Sequence, residues 1–414
     1  MSVGACGVMR VLFSTTAETG HFGPLIPFAK ACVAAGQTVA VAAPGRFAEA
    51  VTGAGFTHLP FDEPPRELIR EVFGRIAQPT FEEMNRVMVV EVFGRLYAQA
   101  ALPALTKIMT DWRPDIALRE TYEFGSLVAA ERAGISQLEV AIGMGQIGPA
   151  LVGLLEKSLT HLSTMADLAP ERGAELLLHG DSLTSVPAAL DSGELMLGES
   201  EGEQAVSHRG RIWRLRTEAP AETRLPAAWG NPAEPLVYVS YGSVTARQAR
   251  FAPLYDATLR ALADLPVRVL MTTGRDLDPA DLEPIPPNSH VEQWWPQEAV
   301  MGEATAVIGH GGFGTTMAAL SAGVPQVVLP LFSFDQVVHA KRVAEVKAGL
   351  ELPGGLGAVA DLPAALSKIL DEPAFTEGAR VMAAEIAALP DVSECTPILE
   401  QLASQHSKED PDDD

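Results

Sequence analysis

Short, mostly apolar runs alternate with longer stretches of helical periodicity along most of this chain. The first run, Arg10–Ser14, leads into a glycine-containing loop, then Pro24, then a helical stretch to about Ala35 that Gly36 stops. Proline suits a first helical turn, where its missing N–H has no intrahelical partner anyway. A second apolar run, Thr38–Ala43, follows. Strand, helix, strand in that order favours a parallel sheet with right-handed crossovers. Asp115–Leu118 and Tyr122–Ala133 repeat the strand–helix pairing, and Leu151, Leu154, Leu155, Leu159 and Leu162 share one helical face. Residues 62–110 leave the rhythm and read as helical, carrying Phe73, Phe81, Met84, Met88, Phe93 and Tyr97. They pack a core or form an adaptable apolar wall for a ligand, since methionine fills irregular pockets.

The second half is more regular. Strands are expected at Leu236–Ser240, Val267–Thr272, Ser289–Gln293, Ala306–Ile308 and Gln326–Leu329, with helices near 251–264, 297–303, 315–322 and 336–347. This alternation is that of an open α/β sheet. The expected fold is two facing, doubly wound, mainly parallel lobes with a cleft between them. The first lobe spans 1–215, a linker rich in proline and polar residues spans 216–234, and the second lobe spans 235–385. A helix over 386–406 is expected to pack back on the first lobe, and 407–414 reads as a disordered acidic tail.

Composition narrows the function. Of 414 residues, 47% are hydrophobic and 20% charged, enough apolar content for large cores. The formal charge of −23 argues against a broad nucleic-acid surface. It permits an anionic small molecule, because a few N–H groups at a helix N-terminus hold a phosphate whatever the net charge. No stretch reaches about 20 uncharged apolar residues, so no membrane span is expected, and the location expected is cytoplasmic. Cys6, Cys32 and Cys395 lie far apart without CxxC spacing and read as reduced thiols. No close His/Cys ligand cluster suggests a metal. Asp276-Leu277-Asp278 matches a metal-binding DxD signature but sits in an acid-rich loop with proline, where a solvated turn is the simpler reading.

The strongest chemical signal is Gly309-His310-Gly311-Gly312-Phe313-Gly314-Thr315-Thr316, between a short apolar run and a helix. Glycines let backbone approach a bound group, and a helix N-terminus supplies N–H donors, so the segment reads as a phosphate cradle. It also fits GxGxxG, with Asp335 roughly twenty positions on, the dinucleotide fingerprint. An NAD-dependent oxidoreductase is therefore a rival, although Asp335 falls beyond the expected strand and a lone GxGxxG is weak evidence. His21 ends a glycine loop just before a helix, and an unperturbed imidazole suits proton abstraction near neutral pH.

In order between 293 and 336 stand Gln293-Trp294-Trp295-Pro296-Gln297, the cradle, Gly323-Val324-Pro325 and Asp335-Gln336. This set resembles the donor signature of family 1 glycosyltransferases with the GT-B fold of two Rossmann-like lobes, most of all the bacterial antibiotic type. Gly20-His21-Phe22-Gly23-Pro24-Leu25 is similar to that family's acceptor-site loop, and Val239-Ser240-Tyr241-Gly242-Ser243 to its interdomain strand and loop. The resemblance implies a metal-independent, inverting hexosyltransferase without cofactor, acting on a nucleotide-sugar and a small hydrophobic acceptor, with a homodimer left open. The first lobe would bind the acceptor and the second the donor. His21 would be the general base, oriented by Glu120, with Glu123 the alternative. Trp294 would stack on the base, worth roughly 1–3 kcal/mol, while Trp295 would be structural. Gln297 would reach base or ribose. His310, Gly312, Phe313, Gly314 and Thr315 would line the diphosphate, with Ser243 touching it. Asp335 and Gln336 would bind sugar hydroxyls. Phe73, Met84, Met88, Phe93 and Met144 would shape the acceptor site. Plant members place a ribose-binding Glu where this chain has Ala318, which favours a dTDP-sugar over a UDP-sugar. A nucleotide-sugar epimerase or hydrolase of the same fold and a non-catalytic partner are further alternatives.

Overall fold

The computed structural model describes residues 8–75, 80–145, 147, 151–191, 210–217, 225–226, 229–282 and 284–406. Cys6, the acidic tail and much of the expected linker lie outside the described residues. The chain divides into two compact units, one of Met1–Ser185, Gly193–Thr217 and Pro390–Asp414, the other of Val186–Ser192 and Glu218–Leu389.

The first unit is built on strands β1 (Arg10–Ser14), β2 (Thr38–Pro44), β3 (Thr57–Phe61), β4 (Ile116–Glu120), β5 (Ser136–Val140), β6 (Asp181–Thr184) and β7 (Ile212–Arg214). They form one sheet in the order β3-β2-β1-β4-β5-β6-β7, with every pair parallel. The second unit carries β8 (Leu236–Ser240), β9 (Arg268–Thr272), β10 (Ser289–Glu292), β11 (Ala306–Gly309), β12 (Gln326–Val328) and β13 (Gly349–Glu351), ordered β10-β9-β8-β11-β12-β13 and again parallel. Each order reverses direction between its first and fourth strands. Ligands of such sheets bind outside the carboxyl ends at that reversal.

Apolar cores cover both faces of each sheet. In the second unit Val237, Val239 and Met271 enter one core while Leu236, Tyr238 and Leu270 enter the other. Burial on both faces explains why the strands read as unbroken apolar runs.

Several expectations change. The helix expected over 386–406 is interrupted. The helix Pro373–Ala387 ends, Pro390 breaks the path, and a new helix, Cys395–His406, begins after a short turn. Proline there removes a helix donor and crowds the preceding turn. Cys395, Leu399 and Leu402 of this last helix pack into the core of the first unit. Leu225 and Trp229, expected in the linker, pack against the second unit's core. Among the described residues, 62–110 hold four helical pieces, and Val87–Tyr97 among them is a π-helix. Gly94 of that segment meets Leu155 so closely that a Cβ would stand 2.4 Å from its Cδ2. Cys32 and Cys395 are buried and unbridged. Among the described residues no helix is long and apolar enough to cross a membrane.

Candidate active site

In the first unit the reversal point lies between β1 and β4. The loop after β1 runs into the short helix Thr19–Phe22, which carries His21. Glu120 is the last residue of β4, one step inside the strand rather than after it, and is fully buried. His21 Nδ1 lies 3.0 Å from Glu120 Oε1 and 2.9 Å from Thr16 Oγ1, with the imidazole 18% exposed. Glu120 also accepts from the Thr16 hydroxyl at 3.0 Å and from the Tyr122 N–H at 2.7 Å. Burial pushes the Glu120 carboxyl up, but attraction to His21 and these hydrogen bonds outweigh it, and the net shift is downward. The pair therefore joins an ionised carboxylate to one imidazole nitrogen, which directs proton acceptance to the other, Nε2.

Glu123, the other candidate, has a different job. It accepts from the N–H groups of Gly125 and Ser126 and from the hydroxyls of Ser14 and Ser126. It thereby caps the helix Gly125–Arg132 from two residues ahead. Burial raises its proton affinity.

Among the acceptor candidates, Phe93 is brought to His21, with ring centroids 5.5 Å apart, and Tyr122 flanks the imidazole at 5.6 Å. Phe73, Met84 and Met88 are half-buried on their helical pieces. Met144 is fully buried. Behind Phe93, the Tyr97 hydroxyl donates to Glu63, which also receives Arg46 at 2.9 Å.

In the second unit the reversal point lies between β8 and β11. The loop after β11 is the glycine-rich segment, and the helix Phe313–Ala322 begins directly behind it with Gly312 as an N-cap that offers no capping side chain. The first N–H groups of such a helix point outward without intrahelical partners. Gly311 has φ +85°, and a Cβ there would stand 2.8 Å from the Gln336 carbonyl oxygen. Its own carbonyl accepts from His339 Nδ1 at 2.6 Å. His339 thus fixes the loop from below. The sequence carries no periodic signal for it.

His310 is 8% exposed, and its Nδ1 is buried without a hydrogen-bond partner. Its ring occupies space that side chains would otherwise need. A Cβ on Gly242, which has φ +74°, would stand 2.6 Å from its Cε1, and one on Gly312 would stand 2.5 Å from it. Burial lowers its pKa to about 4, against the opposing pull of Asp335. At neutral pH it is therefore an uncharged hydrogen-bonding group rather than a cation.

Other expected donor residues divide. Trp294 is 65% exposed, an unusual exposure for so large an apolar surface. Trp295 packs on the Leu236–Tyr238 core. Ser243 and Asp335 are half-buried, while Gly314 lies exposed in the first turn. Gln297 spends an amide N–H on the Thr315 hydroxyl at 2.8 Å, and Gln336 is buried with its Oε1 accepting from the N–H groups of Leu331 and Phe332. The Gln336 carbonyl group is thus committed to shaping its own loop. Phe313 turns its ring toward His339, 6.0 Å between centroids, and is buried. Only its backbone is presented at the helix start. Asp335 sits in the first turn of the helix Phe334–Glu345, not at a strand end, so the dinucleotide reading loses its acid. In the DxD segment Asp276 pairs with Arg247 and Asp278 caps a short turn through the Ala280 N–H. Among the described residues no cluster of His, Cys, Asp and Glu could hold a metal ion.

Comparison with known proteins agrees with this architecture. The models for the N- and C-terminal domains described as erythromycin biosynthesis protein CIII-like match residues 30–192 and 256–402. The chain is 31% identical over 386 residues to the L-demethylnoviosyl transferase of Streptomyces niveus, covering 92% of this chain and 95% of that protein. The solved structure of the glycosyltransferase SnogD from Streptomyces nogalater superposes with a TM-score of 0.71 at 23% identity, covering 96% and 99%. That of the glycosyltransferase VinC in complex with dTDP gives 0.72 at 22%, covering 96% and 100%. These two show the same GT-B fold. With both domain models matched and a relative this similar along nearly its whole length, the chain belongs to the erythromycin biosynthesis protein CIII-like family and is a glycosyltransferase.

Proposed function

We propose that this enzyme moves a hexose or deoxyhexose, with inversion, from a dTDP-sugar onto a hydroxyl of a small hydrophobic natural product, using His21 as general base and no metal ion. The observation that carries the reading is the His21–Glu120 contact of 3.0 Å, with Glu120 wholly buried. A carboxylate on Nδ1 holds the imidazole in the tautomer whose Nε2 accepts a proton, the arrangement a general base needs. In the reaction the acceptor hydroxyl gives its proton to His21. Its oxygen attacks C1 of the sugar, and the C1–oxygen bond to the nucleoside diphosphate breaks.

The departing diphosphate gains charge. The helix start at Gly312–Thr315 and the neutral His310 are suited to meet it, the first by its dipole and N–H groups, the second by a hydrogen bond. The Cε1–Nε2 edge of His310 lies against Gly242 and Gly312, and such a bond would be offered from that edge. Trp294 presents the exposed face that a nucleobase would stack on. Ala318 in place of a ribose-binding carboxylate, together with the dTDP complex of VinC, supports the thymidine nucleotide.

The test is product analysis by mass spectrometry with a panel of dTDP- and UDP-sugars, mixed hydrophobic aglycones and a metal chelator. Glycosylated product with dTDP-sugars, undiminished by chelator and inverted at the anomeric carbon by NMR, is expected. Faster turnover of UDP-sugars, or a retained anomeric configuration, refutes the corresponding part.

A further inference from the structure

Two more charges lie directly behind the His21–Glu120 pair. Side chains alternate along β4, so Glu120 emerges on one face of the sheet and Arg119 on the other. Register sets Arg119 beside Glu139 of β5. Their side chains are 4% and 9% exposed and meet at 3.2 Å between Arg119 Nη2 and Glu139 Oε2. Arg119 Nη1 donates to the carbonyls of Glu120 at 3.2 Å and Thr121 at 3.3 Å. The Thr121 hydroxyl donates to Glu139 Oε1 at 2.7 Å and accepts from the Ile142 N–H at 3.2 Å. The pair therefore grips both peptide carbonyls of the turn from which the Glu120 carboxylate reaches His21.

We propose that Arg119 and Glu139 are positioning residues, a charge-balanced clamp that fixes Glu120 and holds the proton affinity of His21 where it is. The proposal rests on the reading of His21 as general base. A buried ion pair adds little net stability over apolar replacements, and removing one partner leaves an uncompensated charge. Here that leftover charge would sit next to the residue that orients the imidazole. The other charged and titratable groups around His21 are Glu18 on its own segment, Arg46 and Glu63 linked to it, Glu123 behind Glu120, and the phenols Tyr97 and Tyr122. All of them stay unchanged in the test.

The full-length chain, carrying ¹³C-labelled histidine, is titrated by NMR, and the His21 resonance is assigned by its loss in His21→Ala. Glu139→Gln leaves the guanidinium unbalanced and lowers the pKa of His21 by about half a unit, whereas Arg119→Gln leaves the carboxylate unbalanced and raises it by about as much. The double variant R119Q/E139Q returns it close to the original value. Arg119 borders a cavity of about 300 Å³, so a shorter side chain leaves space already open beside it. If Arg119→Gln alone does not fold, the step from Glu139→Gln to the double variant removes the same positive charge without stranding a carboxylate. Shifts of equal sign, or folded variants with no shift, overturn the clamp. The pH profile of kcat/KM separates this from the base assignment. A profile that follows His21 while no variant moves it sinks the clamp alone. A His21 pKa that moves as expected while the profile stays put sinks the base alone.

Discussion

The two units solve the same geometric problem with opposite chemistry. Each sheet reverses its order between the first and fourth strands, and each gathers its candidate residues there. In the first unit the loop after the first strand bears His21, and the fourth strand ends in a buried carboxylate that bonds to it. In the second unit the loop after the first strand bears Gly242, and the loop after the fourth bears His310, packed against glycines and lacking a partner at Nδ1. One imidazole is partly exposed beside a negative charge. The other is enclosed and kept neutral, its pKa near 4. Environment, not residue type, sets the two imidazoles apart, and the proposed division between proton transfer and oxygen binding rests on that difference.

The contrast can be broken in four places. The largest effect is expected at His21. Replacing it with alanine lowers kcat by about 10²–10⁴-fold, while the calorimetric affinity for thymidine diphosphate stays the same. Unchanged turnover would remove the proton-transfer half of the comparison.

Next comes acid. His310 is neutral when folded and titrates near its ordinary value when unfolded, so the unfolded chain binds the extra proton between those two values. Its contribution is complete above about pH 6.5 and is lost as pH falls toward 4, by about 3 kcal/mol. His339, also held down by burial, acts in the same direction. Glu120 differs. Its stabilisation is present above the usual carboxylate range and is lost only as pH falls through its lowered folded value. Urea unfolding at pH 7 and pH 4.5, compared between the natural chain and His310→Gln, isolates the imidazole. An equal loss in both chains would contradict the enclosed, neutral state.

Third, His310→Ala weakens thymidine diphosphate binding by about 10- to 100-fold, the worth of a hydrogen bond to a charged group. Equal affinity by calorimetry would count against oxygen binding there. The smallest effect is expected at Glu123. Glu123→Gln costs about 1 kcal/mol of stability through a weakened helix cap and leaves turnover alone. A large loss of kcat in that variant would blur the distinction between the two carboxylates.

The glycine-rich loop and the helix behind it were legible in the sequence because their demands are local. Gly311 needs a left-handed backbone, and Gly312 is an N-cap with no side chain to cover the first N–H groups of the helix. The choice between Glu120 and Glu123 was not legible, because both carboxylates are buried and only their hydrogen-bond partners tell them apart. Gln297 and Gln336 matched a family pattern, yet their amides bond to Thr315 and to a neighbouring loop, contacts that no spacing announces. His339 escaped notice because its partner is a carbonyl 28 positions away. The regular alternation of the second half revealed most of its strands. β13, three residues long, and β3, β5, β6 and β7 of the first unit went unseen, since runs of three to five residues are too short to show a period that separates them from the helices and loops around them.

The helix Cys395–His406 completes the core of the first unit from far along the chain, whereas Glu218–Leu389 of the second is one continuous stretch. On a ribosome, which releases chain in order, domains fold as they emerge. Here the earlier-made sheet must wait with an apolar groove uncovered until residues near 400 appear, and by then the later-made sheet is already whole. The half synthesised first is thus the half that finishes last, and a nascent chain stalled before Cys395 should be the form that chaperones hold.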